Sequence, residues 1–285
     1  MKKIFITGRY GQLANEFERY LTKNSIDYIA LEINELDITN FKSVVETIKD
    51  CSPSVIINCA AYNLVDQAEQ DYLIAHKVNV LGPRNLAISS LECGAAFVHY
   101  SSDYVFDGAK IDDLYIETDS VNPINEYGKS KLLGEKAVFD ITSSALIFRL
   151  SWVFGEGKQN FIYKLIKWQE NSSFLKIACD EFSIPTYTEM VVEVTMKSLE
   201  KSITGLYHLT NTDYCSRYEW ARFILKKLGI NKHVHPVSMS IFNLPAKRPA
   251  FSAMNNEEIC SLLNIQIPTW QESVEFHIKK YLHSF

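Results

Sequence analysis

The sequence predicts an α/β fold: a doubly wound parallel sheet with a smaller, mainly C-terminal α/β lobe. Three observations predict it. Short apolar runs alternate with helical patterns through the first half of the chain, an order that builds right-handed βαβ units with helices on both sheet faces. A turn with two glycines, Gly8-Arg9-Tyr10-Gly11, joins the first apolar run to the first helical pattern. Beyond about Trp152 the alternation loosens into shorter, mixed segments.

Residues 3–7 read as a strand and 11–21 as a helix, from apolar runs and apolar positions at helical spacing respectively. A second strand at 28–31 precedes a helix at 41–50 and a strand at 55–59 whose apolar run Val55-Ile56-Ile57 marks it as buried. A long helix over 75–93 leads to a strand at 96–100, then a helix at 127–138 and a strand at 145–150. The second half holds a helix at 161–168, a strand at 175–179, a helix at 188–201 and a strand at 205–210. An amphipathic helix over 217–228 and short helices near 255–263 and 270–281 complete the reading. No repeat or low-complexity linker interrupts it, so the two parts should pack closely.

Composition excludes several classes. The chain of 285 residues is 47% hydrophobic and 22% charged, ordinary for a soluble globular protein. A net charge of −5 gives no reason to expect nucleic acid as a partner. No apolar run approaches the roughly 20 residues that span a bilayer, so no membrane association is expected. The six cysteines lack C-x-x-C spacing and read as reduced structural thiols of a cytoplasmic protein. His99 and His208 sit in apolar strands and read as core residues, and no His/Cys/Asp cluster has metal-ligand spacing.

The glycine turn points to a ligand. Thr7-Gly8-Arg9-Tyr10-Gly11-Gln12-Leu13-Ala14 is a G-x-x-G-x-x-A pattern between strand and helix. Gly8 permits the tight turn, Gly11 lets the backbone approach a pyrophosphate, and Ala14 fills the third, small-residue position at some cost in helix–strand closeness. The helix N-terminus adds free N–H groups and partial positive charge for phosphates. This is a Rossmann-type dinucleotide site, so residues 1–150 read as the dinucleotide-binding domain, with segments near 187–210 returning to it. Residues 151–285 read as mainly a substrate-binding lobe. Glu32 lies 24 residues after Gly8, where an acid accepts bonds from the adenosine ribose and repels a 2′-phosphate. It favours NADH, whereas Arg9 could pair with that phosphate and favour NADPH. Asp37 and Ile38 could bracket the adenine, although Asp37 equally suits a helix cap.

A second constellation points to the chemistry. Tyr127-Gly128-Lys129-Ser130-Lys131 follows Ser101-Ser102-Asp103-Tyr104, with Tyr127 25 residues after Ser102. Tyr127 and Lys131, at i and i+4, share one helix face. Ser102, at a strand's end, could polarise the same carbonyl from the other side. Gly8, Cys59, Ser102 and Ser151 all fall at or just past strand C-termini, where ligands bind in such sheets.

With these residues in place, the chain resembles the extended short-chain dehydrogenase/reductases and, more narrowly, the dTDP-4-dehydrorhamnose reductase family. The matching segments include Gly8-x-x-Gly11-Gln12-Leu13, Glu35-Leu36-Asp37-Ile38-Thr39, Asn58-Cys59-Ala60-Ala61-Tyr62 and Ser101-Ser102-Asp103-Tyr104-Val105-Phe106-Asp107-Gly108. Tyr127-Gly128-x-x-Lys131, Arg149-x-Ser151-Trp152-Val153 and Arg248-Pro249 continue it in order. The resemblance implies hydride transfer from NADH or NADPH to the C4 ketone of a nucleotide-linked deoxysugar, in cell-surface polysaccharide precursor synthesis. It casts Tyr127 as proton donor, Lys131 as the cation beside it and on the nicotinamide ribose, and Ser102 as holder of the carbonyl oxygen. Ala61, Tyr62, Asn63 and Tyr100 would line the cofactor. Asp103 and Trp152 would contact the sugar, and Arg248 would reach the diphosphate or form a surface ion pair. Asn79 would either join the site or satisfy backbone groups.

Sister enzymes share the Tyr/Lys pair. Dehydratases of the superfamily place an Asp-Glu pair after the hydroxyl residue, whereas here Asp103 is followed by Tyr104. Reduction is therefore expected rather than dehydration or epimerisation. Ala14 and Tyr10 depart from the family's usual loop, which keeps open a second reading: a non-catalytic, cofactor-binding regulatory subunit resembling the partner of methionine adenosyltransferase. Some members use acidic residues for a magnesium-bridged dimer. Glu16 and Glu189 match two such positions and the C-terminal tail offers no third, so no metal is expected. Homodimers are common in the family.

Overall fold

A computed structural model describes residues 3–110 and 113–281. The first half runs β1 (Ile4–Thr7), α1 (Gln12–Lys23), β2 (Tyr28–Leu31), α2 (Phe41–Cys51), β3 (Val55–Asn58), α3 (Tyr72–His76), α4 (Gly82–Cys93), β4 (Ala96–Ser102), α5 (Glu126–Phe139) and β5 (Leu146–Leu150). The second half runs β6 (Val153–Phe154), α6 (Phe161–Asn171), β7 (Phe174–Ala178), β8 (Phe182–Ser183), β9 (Thr186–Tyr187), α7 (Thr188–Glu200) and β10 (Gly205–His208). It ends with β11 (Cys215–Ser216), α8 (Arg217–Lys227), β12 (His233–Val237), α9 (Glu257–Leu263) and α10 (Trp270–Tyr281).

Six strands form one parallel sheet in the order β10-β5-β4-β3-β1-β2. The chain steps outward from β1 to β2, then crosses back to lay β3 on the other side of β1. That reversal opens a crevice at the carboxyl ends of β1 and β3, where a doubly wound sheet binds its ligand. Both faces are covered, as the continuous apolar strands require. Ile4, Ile6, Val98 and Phe148 pack with Phe17, Leu21 and the second half's Trp220 and Ile278. Phe5, Ile56, Phe97 and Ile147 pack on the other face with Ile48 and Leu86. Each fully buried side chain of this size contributes about 1.5–3 kcal/mol.

Three local features differ from the sequence reading. The helix expected over 75–93 begins at Tyr72 and carries a π-helical turn, Lys77–Leu81, before α4. That turn presents Asn79, whose side chain bonds the backbone N–H (2.8 Å) and carbonyl (3.1 Å) of Tyr62. The strand expected at 96–100 continues to Ser102, because pairing with β5 persists to Ser102↔Leu150. The strand β12 was not anticipated: its Pro236 suppresses a strand reading, yet it forms half of a two-stranded sheet with β7, where proline is tolerated. The two-residue strands β6, β8, β9 and β11 are too short for any periodicity to register. Among the described residues, no helix is long and apolar enough to cross a membrane.

Candidate active site

The glycine loop is built for close approach. Gly8 has φ +77°, and a Cβ there would lie 2.6 Å from the Ala60 backbone nitrogen. A Cβ on Gly11 would lie 2.9 Å from the Gly8 carbonyl oxygen. Asn58 ties the loop's two flanks together, accepting the Thr7 hydroxyl (2.7 Å) and the Ala60 N–H (3.1 Å) on one oxygen. Helix α1 starts at Gly11 with no side-chain cap and no acid in its first turn, so its leading N–H groups face the crevice unclaimed by a side chain. This cradle fits a dinucleotide pyrophosphate.

Helix α5 brings Tyr127 and Lys131 to the same crevice. Asn125 caps it through the Gly128 N–H (2.7 Å). Gly128 allows the helix to press onto Tyr104, since a Cβ there would stand 2.1 Å from the Tyr104 carbonyl oxygen. Lys131 donates to the Tyr100 carbonyl at 2.6 Å. Tyr127 donates to Asn63 Oδ1 at 3.4 Å and meets the Tyr104 ring edge-on at 5.9 Å. Burial pulls the Lys131 ammonium down to about 8, with Glu135 opposing. Burial pushes the Tyr127 hydroxyl up to about 12, against the Ser102 hydroxyl and with the Asp103 charge.

One cavity of about 320 Å³ unites most of the expected residues. Gly11, Gln12, Leu13, Ala61, Asn63 and Tyr100 line it with Ser102, Asp103, Tyr127, Lys131 and Trp152. An adjoining cavity of about 710 Å³ shares Asn63, Trp152, Val153 and Gln159 with it. This second space is bordered by the cations Lys164, Lys176, Arg217 and Arg248 and by Phe161, Trp168 and Phe242. Between the two, Trp152 has φ +39°, a backbone region that bulky residues seldom enter. Its ring stacks on Trp220 (5.7 Å) beneath the Arg217 guanidinium, which lies 3.5 Å from the ring centre. Arg217 also pairs with Glu181 at 3.3 Å, and Glu181 accepts the Tyr104 hydroxyl at 3.3 Å.

Several expected residues are placed differently. Asp103 does not offer its carboxylate to a sugar: both oxygens are held by serine hydroxyls, and it is 2% exposed. Arg248 forms a two-pronged pair with Asp66 (2.8 and 2.6 Å), the ion-pair alternative, while still bordering the larger cavity. Tyr62 turns its hydroxyl to Asp71 (3.0 Å) and does not line the smaller cavity. Ile38 is buried against Gly82 and offers adenine no open face. Asp37 braces a turn through the Thr39 N–H (2.9 Å), and Asn40 caps α2 instead. Gly8 and Glu32 also lie outside that cavity, Glu32 accepting the Asn34 amide (3.1 Å) just past β2. Arg9 pairs with Glu18 (3.6 Å) over the Tyr10 ring.

His99 and His208 are core residues, as expected: burial holds both imidazoles below their ordinary range, His208 at about 3. Asn79 satisfies the Tyr62 backbone. Sequence reading missed Ala60, Gln159, Arg217, Glu181, Ser183 and Ser252. Ala60 follows directly on a strand end, a usable signal; the others are isolated residues brought in by folding. A further cavity of about 660 Å³ opens at the opposite, amino-terminal end of the strands, bordered by Ile26, Leu91, Phe97 and Leu199. It is remote from the glycine loop and from Tyr127.

The residues matching the family's metal positions are both engaged by cations of this chain. Glu16 is bonded to Arg19, and Glu189 to Lys280, so protein cations already neutralise both carboxylates. Among the described residues no group of three or more His, Cys, Asp or Glu could hold a metal. The last four residues of the tail lie outside the described residues.

The chain is similar to known proteins along its whole length. A family model described as RmlD substrate binding domain matches residues 1–283. A dTDP-4-dehydrorhamnose reductase of Aggregatibacter actinomycetemcomitans is 35% identical over 294 residues, spanning 99% of this chain and 99% of its own. A crystal structure of a dTDP-4-dehydrorhamnose reductase from Clostridium acetobutylicum superposes with a TM-score of 0.95 at 36% identity, covering 98% of this chain and 99% of that one. The Bacillus anthracis dTDP-4-dehydrorhamnose reductase, solved in complex with NADP, gives a TM-score of 0.94 at 33% identity, with 98% and 99% covered. A glycine cradle, a buried Ser/Tyr/Lys cluster and full-length similarity converge: the chain belongs to the dTDP-4-dehydrorhamnose reductase family of extended short-chain dehydrogenase/reductases.

Proposed function

We propose that this chain reduces the C4 ketone of dTDP-4-dehydro-L-rhamnose, or a related nucleotide 4-keto-6-deoxysugar, for polysaccharide precursor synthesis. The observation that carries this reading is the single cavity in which Ser102, Tyr127 and Lys131 meet Gly11, Gln12 and Leu13. A bound reduced nicotinamide dinucleotide would supply the hydride. Gly8, Gly11 and the open start of α1 would hold its pyrophosphate, and Lys131 would bond its nicotinamide ribose. Tyr127 is protonated at neutral pH and donates to the carbonyl oxygen as negative charge grows there. The Lys131 ammonium stabilises the tyrosinate left behind. A donor placed in this way typically contributes about 10²–10⁴-fold. The larger cavity, with its cations and aromatic rings, takes the nucleoside diphosphate, and Trp152 covers the sugar.

Glu32 beside the loop supports NADH as the preferred donor. Arg9 is engaged by Glu18, which removes the clearest partner for a 2′-phosphate. The binding of NADP by the Bacillus anthracis relative supports use of both. Arg19 and Lys280 support a metal-independent enzyme. A cytoplasmic homodimer, with cofactor contacts mainly from 1–150 and sugar contacts mainly from 151–285, completes the reading. The non-catalytic alternative is disfavoured by the intact Ser102/Tyr127/Lys131 cluster. The test is oxidation of NADH and NADPH at 340 nm with freshly generated dTDP-4-dehydro-L-rhamnose. Turnover that collapses in Tyr127→Phe is the expected result. Cofactor binding without turnover would favour the regulatory subunit.

A further inference from the structure

Ser102 has one proton and two lone pairs to share, and the ligand-free site has committed the proton. Its hydroxyl donates to Asp103 Oδ1 at 3.1 Å and accepts the Tyr104 backbone N–H at 3.2 Å. The other Asp103 oxygen, Oδ2, accepts the hydroxyls of Ser183 (2.9 Å) and Ser252 (2.6 Å). Ser183 is fully buried and Ser252 nearly so. Three distant stretches of chain thus deliver hydroxyls to one sealed carboxyl. While Asp103 is ionised, Ser102 can accept a hydrogen bond near Tyr127 but has no proton left for a substrate oxygen.

A protonated Asp103 reverses this. Oδ2 is saturated by two donors, so the acid proton belongs on Oδ1, facing Ser102. Ser102 then accepts from Asp103 and its own proton is released. We propose that Asp103 is a positioning residue acting through Ser102: the neutral acid turns the Ser102 hydroxyl toward the substrate carbonyl, and the carboxylate turns it away. This rests on the roles assigned above to Ser102 and Tyr127. Arg217 from α8 is the cation facing Asp103, and Tyr127 from α5 and Tyr104 are the titratable hydroxyls that feel its charge. Burial outweighs the three serines and Arg217, and lifts the carboxyl to about 6.

The experiment is kcat/KM for the sugar nucleotide between pH 5.5 and 7.5 in wild type, Asp103→Asn, Ser102→Ala and the double variant. Asp103→Asn copies the neutral acid, its amide oxygen serving Ser183 and Ser252 and its NH₂ serving Ser102. Wild type should fall about 25-fold across this range, as a single ionisation near 6 requires, and Asp103→Asn less than about twofold. Ser102→Ala should also lose the dependence, and adding Asp103→Asn to it should cost nothing further. A fall of about 25-fold that survives in Asp103→Asn, or in Ser102→Ala, overturns the proposal. So does an Asp103→Asn loss as large in the Ser102→Ala background as in wild type. If Asp103→Asn does not fold, the Ser102→Ala profile decides alone. Wild-type turnover in Tyr127→Phe would instead overturn the site assignment, a separate outcome.

Discussion

Lys131 bonds the carbonyl of Tyr100 at 2.6 Å rather than the hydroxyl of Tyr127 one helical turn away. The role proposed for it beside Tyr127 is therefore that of a charge without a direct hydrogen bond, and a charge acts only while the ammonium keeps its proton. Burial lowers that proton's pKa to about 8 from the usual 10.5.

The first prediction follows directly. The ammonium is present below pH 8 and lost above it, so kcat/KM for the dinucleotide should fall as pH rises through about 8. Lys131→Met should be slow at every pH and show no such step. Stability moves the opposite way. Between about 8 and 10.5 the unfolded chain still holds a proton that the folded chain has released, so the ligand-free protein should gain stability from this group as pH rises. Urea melts across that window, in wild type and Lys131→Met, give the slope; equal slopes would refute the shift.

Tyr127→Phe removes the proposed proton donor while keeping the ring that packs on Tyr104. The expected loss is about 10²–10⁴-fold in kcat, with dinucleotide affinity by fluorescence titration little changed. A comparable loss of affinity would mean the hydroxyl serves binding instead.

Gly128→Ala should displace α5. The added methyl would meet the backbone carbonyl of Tyr104, which cannot rotate away as a side chain can. Overpacking of this kind costs about 1–3 kcal/mol, and kcat should fall as Tyr127 moves. A wild-type melting temperature together with wild-type kcat would show that the helix has room to spare.

Tyr10 occupies the left-handed region at φ +69° with its side chain 61% exposed. Little burial is lost on truncation, whereas a non-glycine residue in that region costs about 1–2 kcal/mol. Tyr10→Gly should therefore raise the melting temperature by roughly 2–4 °C. A lower value would mean that the Arg9 contact with the Tyr10 ring matters more than the strain.

Arg217 borders the larger cavity but not the smaller one. Arg217→Met removes the cation over Trp152 and should raise KM for the sugar nucleotide about tenfold, equivalent to about 1.4 kcal/mol. KM for the dinucleotide should stay as in wild type. Parallel rises in both would place its effect on the fold rather than on the sugar side.

The parts legible in advance were those whose residues are close in sequence. Gly8 and Gly11 announce a turn because conformational freedom belongs to the residue itself. Tyr127 and Lys131 announce a shared face because helical spacing is local. The span of α2 was legible from its apolar spacing, but its cap was not: Asp37 and Asn40 have similar capping chemistry within one turn, and Asn40 takes the role. The strands of two residues left no periodic trace, and the π turn at Lys77–Leu81 has no composition of its own.

By itself, then, the sequence determined the alternating strands and helices of the main sheet, the glycine turn and the candidate trio Ser102, Tyr127 and Lys131. All of these depend on spacing along the chain or on single-residue geometry. Only the tertiary structure decided what Asp103, Arg248 and Ile38 do. Asp103 meets Ser183 and Ser252, Arg248 meets Asp66, and Ile38 meets Gly82. Each of those partners is dozens of residues or more away along the chain. A side chain's role is set by the groups that desolvate it and satisfy its hydrogen bonds, and those groups are chosen when distant segments pack.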